Sequence, residues 1–252
     1  MYKSIKIRKM NFGEGLPKIC IPITGKTSDD ILKEAQMAVK DGADLIEWRA
    51  DAFANVTDTD KCLLVAGKIR SEFPDLPILF TYRTEDGAHT METSKYIELN
   101  KTIANSSDVD LIDIELSKGD DICKELCEYI HSKNKLVVLS SHNFEHTPQT
   151  SDITSTLRHM KELGGDVPKL AVMPKTSLDV INILEGSIIY KEKYANGPFI
   201  TMSMGDLGRL SRVSGELTGS ALTFGVTENA SAPGQIPISE LRNILQTLHF
   251  SH

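Results

Sequence analysis

Eight short runs rich in β-branched residues, each followed by a longer amphipathic stretch, set the tightest limit on what this chain can fold into. The runs are KICIPIT (18–24), DLIEWRAD (44–51), PILFTYR (77–83), LIDIEL (111–116), KLVVLSSH (135–142), VPKLAVM (167–173), PFITMSM (198–204) and ALTFGVT (221–227). Runs of this length bounded by turn residues predict strands. Between them, helical patterns span Ser28 to Gly42, Asp58 to Phe73, Met91 to Asn105, Asp120 to Ser132, Thr150 to Leu163, Ser177 to Tyr194 and Ile238 to Leu248. The first opens on Ser28 as a capping serine with acidic residues behind it, and it stops at Gly42. Leu207 to Gly219 completes the alternation, although its glycines weaken the helical pattern. Strand-then-helix units repeated eight times without a linker predict a (β/α)8 TIM barrel, with residues 1–252 as one domain. Ahead of it, SIKIRKM alternates in a way that predicts a short N-terminal hairpin closing the barrel floor.

A length of 252 residues is ample for such a barrel. The formal charge of -7, with no basic run to offset it, predicts no nucleic-acid partner and no anionic membrane partner. The opening fifteen residues carry no apolar core of a secretory signal, and no later run is long enough to span a bilayer, so the expected location is cytoplasmic. Cys20, Cys62, Cys123 and Cys127 follow neither zinc nor disulfide spacing and are expected as buried free thiols.

A barrel of this kind gathers its active site at the carboxyl ends of the strands. Polar residues in those positions are therefore the candidates. Glu47 and Arg49, two apart on the second strand, share a face inside an apolar run, as catalytic groups or as a structural ion pair. Arg83 ends the third strand. The fifth runs directly into His142, whose imidazole titrates near neutrality and suits proton transfer. His146 is four residues on, but Pro148 and the preceding strand argue against a helical metal pair, leaving His146 at the surface. Lys169 sits among apolar neighbours, where an ammonium must be paired or give up its charge, and a neutral amine there suits attack on a ketone. The alternative is a lysine whose stem snorkels to solvent. Arg212 follows the seventh strand. Ser231 and Gln235 follow the eighth on the Pro/Gly loop SAPGQ, either an ordinary turn or a loop able to close over a ligand.

These motifs resemble one family. DLIEWRAD, FTYR, SSHNFEHTP, GGDVPKLAVMP, ITMSMGDLGRLSRVSGE, GSALTFG and SAPGQ, in order and over nearly the whole chain, are similar to type I 3-dehydroquinate dehydratase, the shikimate-pathway enzyme that converts 3-dehydroquinate to 3-dehydroshikimate. The resemblance implies that Lys169 forms a Schiff base with the ketone, that His142 exchanges protons, and that Arg212 binds the substrate carboxylate. It further implies that Glu47, Arg49, Arg83, Ser231 and Gln235 hold hydroxyls and carboxylate, and that Met202, Met204 and Phe224 form an apolar wall. A homodimer is implied, with no cofactor and no metal.

Two positions depart from the family pattern. The usual R-x-x-x-E-G-G is replaced by Arg83 leading into Thr84-Glu85-Asp86-Gly87-Ala88, so that Asp86 stands for the glutamate that supports the histidine, with Glu85 as the alternative. Ser141 takes the place of the aromatic often found before the histidine. Asp113 and Glu115 on the fourth strand are expected as partners of Lys169. Two other activities remain open to the residues alone. A class I aldolase would use the same lysine, with GDLG and Arg212 cradling a phosphate. A metal-dependent isomerase would use Glu47, Asp113, Glu115 and His142 as ligands. A non-catalytic barrel would bind without turnover.

Overall fold

The computed structural model describes residues 2–84, 90–227 and 235–250. A two-residue turn joins β1 (Ile5–Ile7) to β2 (Met10–Phe12) as an antiparallel hairpin. There follow β3 (Lys18–Ile23), α1 (Ser28–Lys40), β4 (Leu45–Arg49), α2 (Thr59–Glu72), β5 (Ile78–Thr81), α3 (Thr93–Asn105), β6 (Leu111–Glu115), α4 (Asp120–Ser132), β7 (Leu136–Asn143), α5 (Thr150–Glu162), β8 (Val167–Val172), α6 (Ser177–Lys193), β9 (Ile200–Ser203), α7 (Arg209–Val213), α8 (Gly215–Thr218), β10 (Leu222–Phe224) and α9 (Ile238–Thr247).

The eight longer-range strands pair in parallel in the order β10-β3-β4-β5-β6-β7-β8-β9, and a parallel bridge between Phe199 and Ser220 brings the two outer strands together. This is the expected (β/α)8 barrel. Each predicted strand appears within its run, except that β7 continues one residue further to Asn143, and the helices match to within a few residues at each end. The sequence Leu207 to Gly219 forms two short helices rather than one, ending at Gly219 with φ 93°. The cap of α1 is Thr27, not the expected Ser28. Thr27 is extended and its hydroxyl accepts from the Asp30 N–H at 3.2 Å, whereas Ser28 is already helical. Both residues carry a hydroxyl, so composition could not choose between them.

Strand alternation divides the molecule into two cores. Outward residues such as Ile46, Trp48, Phe80, Ile112, Ile114, Leu139, Leu170 and Val172 pack against the helices. Inward residues at the amino-terminal end (Leu45, Leu79, Leu111, Val138, Val167, Ile200 and Leu222) fill the barrel together with Ile7 and Phe12 of the hairpin. The hairpin therefore closes the floor. On five of these strands the next inward position is polar, with Glu47 after Leu45, Thr81 after Leu79, Asp113 after Leu111, Ser140 after Val138 and Lys169 after Val167, whereas β9 and β10 carry Met202 after Ile200 and Phe224 after Leu222. A dry floor thus supports a largely polar upper layer. All four cysteines are free and buried, as expected. Among the described residues no helix is long and apolar enough to cross a membrane.

Candidate active site

Above the floor lies a cavity of about 230 Å³, lined by Pro22, Glu47, Arg49, Arg83, His142, Phe144, Lys169, Ala171, Met202, Met204, Arg212, Phe224 and Gln235. Ten of the twelve residues expected at the site are among these. Asp86 and Ser231 lie outside the described residues, as does Glu85.

Lys169 is buried, and its burial is made tolerable by pairing rather than by snorkelling. Its Nζ is 3.2 Å from Glu47 Oε1 and 3.7 Å from Asp113 Oδ2, and 4.7 Å from the centroid of the Phe224 ring. An ammonium over an aromatic face gains from the ring quadrupole as well as from the two carboxylates. Glu47 also accepts from the Thr81 hydroxyl at 2.9 Å. Burial would raise its carboxyl, but Lys169, Arg49, Arg83 and the Thr81 bond outweigh that effect and hold it down at about 2. Glu47 is therefore a fixed negative charge at neutral pH and a poor proton acceptor.

Arg83 is buried among anions: its Nη2 donates to Asp113 Oδ2 at 2.8 Å, and its Nη1 to Ser140 Oγ at 2.9 Å and to Glu115 Oε1 at 3.3 Å. Ser140 in turn donates to Asp113 Oδ1 at 2.7 Å. Asp113 thus joins Lys169 to Arg83, as expected of a Lys169 partner, while Glu115 bonds the Thr84 N–H and hydroxyl and pairs with Lys118. Arg49 forms a two-bonded fork with Asp51, both contacts 2.8 Å.

His142 stands at the upper end of β7, with its ring nearly parallel to that of Phe144 at 6.0 Å between centroids. Burial first, then the positive charges of Arg83, Lys169 and Arg49, push its imidazole well below the ordinary 6.5. It is neutral at pH 7 and able to accept a proton. Phe144 supplies an aromatic neighbour that Ser141 does not. His146 is exposed, as expected.

Arg212 differs from the other cations. It is buried, its Nη1 donates to the Phe224 carbonyl at 3.3 Å, and its Nε has no partner. Among the described residues no carboxylate pairs with it. Burial, and then the like charge of Arg209, make its proton somewhat easier to lose than usual, though a guanidinium remains charged at any ordinary pH. An unpaired buried guanidinium is a site for an anion. It is held there by an unusual piece of chain, because five-residue α7 cannot be stable alone. The Ser211 hydroxyl accepts from the Ser203 N–H at 2.9 Å and donates to the Gly208 carbonyl at 2.7 Å, tying α7 to β9. A Cβ on Gly208 would lie 2.2 Å from the Ser203 carbonyl oxygen, so only glycine permits that approach.

The three carboxylates of the metal-isomerase alternative, Glu47, Asp113 and Glu115, are already committed to cations, and among the described residues no group of three or more His, Cys, Asp or Glu could hold a metal. Sequence reasoning missed Asp51, Thr81, Ser140, Phe144 and Ser211. Thr81 and Ser140 could have been found, since each lies in the inward phase of its strand.

Known proteins match this chain along nearly its whole length. A profile of the Type I 3-dehydroquinase family covers residues 19–252. A 3-dehydroquinate dehydratase of Salmonella typhimurium is 45% identical over 249 residues, covering 98% of this chain and 99% of the relative. The crystal structure of a Type I 3-dehydroquinate dehydratase from Clostridium difficile, with covalently modified comenic acid, superposes with a TM-score of 0.96 at 44% identity and covers 99% of each chain. A 3-dehydroquinate dehydratase from Geobacillus kaustophilus gives 0.92 at 35% identity, covering 98% of this chain and 96% of its own.

Proposed function

The chain belongs to the type I 3-dehydroquinases, and on that premise we propose that it dehydrates 3-dehydroquinate through an imine on Lys169. It is a hydro-lyase, a 3-dehydroquinate dehydratase, and this sets aside the aldolase, isomerase and non-catalytic alternatives. The observation that carries the mechanism is the combination in one small cavity of a buried amine, a neutral imidazole and a guanidinium that has no counter-charge among the described residues.

Loss of water across the two carbons next to a ketone begins with removal of an α-proton, which a ketone alone acidifies only modestly. In the resting site the Lys169 ammonium sits between Glu47 and Asp113, so one proton must leave before the amine attacks. Glu47, held at about 2, is a poor acceptor; His142 is the neutral base in the cavity. Attack of Nζ on the carbonyl carbon gives a carbinolamine, and its hydroxyl leaves as water with the proton that His142 took from the lysine, giving a protonated imine whose charge faces Glu47 and Asp113 and returning His142 to its neutral form. His142 then takes the α-proton, and the electron pair moves into an enamine. The enamine expels the β-hydroxyl, which leaves as water with a proton from His142. Hydrolysis frees the lysine and 3-dehydroshikimate.

Arg212 binds the substrate carboxylate throughout, Glu47, Arg49, Arg83, Ser231 and Gln235 hold its oxygen atoms, and Met202, Met204 and Phe224 supply the apolar wall. Asp86 takes the place of the glutamate that supports His142. The covalently modified ligand of the Clostridium difficile relative accords with a site that bonds its ligands. The shikimate pathway, a cytoplasmic location, a homodimer and a single domain over residues 1–252 form part of the same proposal.

Incubation with 3-dehydroquinate should raise the ultraviolet absorbance of a conjugated enone carboxylate. Borohydride added during turnover should fix ligand mass on Lys169 and inactivate the enzyme, and Lys169→Ala should abolish both. An adduct on any other lysine would overturn the assignment.

A further inference from the structure

We propose that Asp51 is a positioning residue that sets two substrate-facing arginines from different strands, Arg49 and Arg83. The proposal deepens the reading of the cavity as the 3-dehydroquinate site and rests on it.

Asp51 does not line the cavity. It lies in the single 3-10 turn Ala50–Ala52 that follows β4, only 6% exposed. A buried carboxylate is costly unless its oxygens are used. Both are: Oδ1 accepts from Arg49 Nε and Oδ2 from Arg49 Nη2, and Oδ1 also accepts the backbone N–H of Arg83 at 3.1 Å. These bonds act on different parts of the two arginines. The fork fixes one orientation of the Arg49 guanidinium, where a side chain with about four rotatable bonds would otherwise sample many. The third bond fixes the Arg83 backbone just beyond the end of β5, while its guanidinium is fixed at the other end by Asp113 and Ser140.

The turn accounts for this reach. Continued as a strand, the chain would carry Asp51 up and away from the mouth of the barrel. Folded as a 3-10 turn, it brings the carboxylate back between β4 and β5, where one side chain can meet a side chain of its own strand and a backbone group of the next. Because Asp51 orders these donors before ligand arrives, the ordering does not have to be made at the expense of binding. Its charge also offsets that of Arg49, whereas Arg212 has no such partner among the described residues. The anion of the substrate is thereby directed to Arg212, and Arg49 and Arg83 are left as oriented hydrogen-bond donors.

A merely structural Asp51 would lower stability and active fraction without changing KM. The test is a double-mutant cycle: Asp51→Ala, Arg49→Ala and the double variant, with Asp51→Asn as a nearly isosteric fourth protein. KM and kcat for 3-dehydroquinate are measured alongside thermal melting and borohydride trapping at saturating substrate. Asp51→Ala should raise KM roughly ten-fold or more, as expected for loss of charge-assisted bonds that hold a ligand-binding group, with a smaller change in kcat. Asp51→Asn should fall between this and the unaltered enzyme, because its amide oxygen can still accept the Arg83 N–H but its amino group cannot complete the Arg49 fork. In the Arg49→Ala background the effect of Asp51→Ala should shrink several-fold, leaving the part exerted through Arg83.

Trapping on Lys169 should persist in every variant that folds. If Asp51→Ala does not fold, Asp51→Asn alone decides: a raised KM supports the proposal and an unchanged KM overturns it. An Asp51→Ala effect equally large with and without Arg49 also overturns it. Failure to trap Lys169 in the unaltered enzyme would instead refute the underlying mechanism, so the two failures are distinguishable.

Discussion

Replacing Glu47 by glutamine removes one charge from the centre of the site and leaves its shape and the Thr81 hydrogen bond in place. In the folded protein this carboxyl is held at about 2 against an ordinary value of 4.5. Each unit corresponds to about 1.4 kcal/mol of preference for the charged form, so ionised Glu47 contributes on the order of 3 kcal/mol to stability. The residue is only 4% exposed, so solvent screening takes little from this figure. The sign follows from proton linkage. Because the folded value is the lower one, the unfolded chain binds the proton first as pH falls, and the contribution is fully present above about pH 4.5 and disappears as pH approaches about 2. Glu47→Gln should therefore be less stable by about 3 kcal/mol at pH 7, and more than half of that difference should vanish by pH 3. Urea unfolding of both proteins at a series of pH values between 7 and 3 measures the difference directly. A gap of the same size at pH 3 and pH 7 would refute the argument, since it would assign the loss to packing and not to charge.

Two further outcomes follow from the same geometry. His142 is pushed well below 6.5, so the acidic limb of kcat/KM should lie well below pH 6.5, with the base form complete at neutrality; a limb centred at or above 6.5 would contradict this, as would full activity of His142→Ala. Arg212→Ala should raise KM by roughly ten-fold to a hundred-fold by loss of a charge-assisted pair to the carboxylate, and Arg212→Lys should restore only part of the loss because an ammonium cannot form the fork; unchanged KM in a folded Arg212→Ala enzyme would place the carboxylate elsewhere.

How much of this was legible in the sequence depended on the range of the interaction. Alternation within one strand is a local property, and it was enough to place Lys169, Glu47 and Arg49 on the inner face, because Val167 and Leu45 below them had to fill the barrel. The partner of each charge is a property of angular position around the barrel. Arg83 meets Asp113, Glu115 and Ser140, which come from the next two strands in the ring, and nothing within the FTYR run names them. For the same reason Lys169 could be recognised as needing neutrality or a partner without it being clear which. Asp51 was hidden differently: it was visible two residues after Arg49, but its contact with the Arg83 backbone depends on a turn that the strand-like run DLIEWRAD does not announce. Ser211 was hidden because a glycine-containing segment reads as a weak helix, whereas α7 is short and held from outside.

The electrostatic design of the proposed reaction follows from the same partners. Glu47 and Asp113 surround a nitrogen that is positive in the resting ammonium and positive again in the protonated imine, so the two carboxylates need not rearrange between those states. The neutral amine and the carbinolamine are the stages at which they lack a matching charge. A base that removes the lysine proton and keeps it close shortens that interval. His142 satisfies both conditions while neutral, because a protonated imidazole beside Arg83 and Arg49 would be disfavoured and would return its proton readily. The positive neighbours that depress its basicity would therefore make it a poorer reservoir but a faster donor, which is what is required of a group that takes a proton from one atom in order to deliver it to a departing hydroxyl.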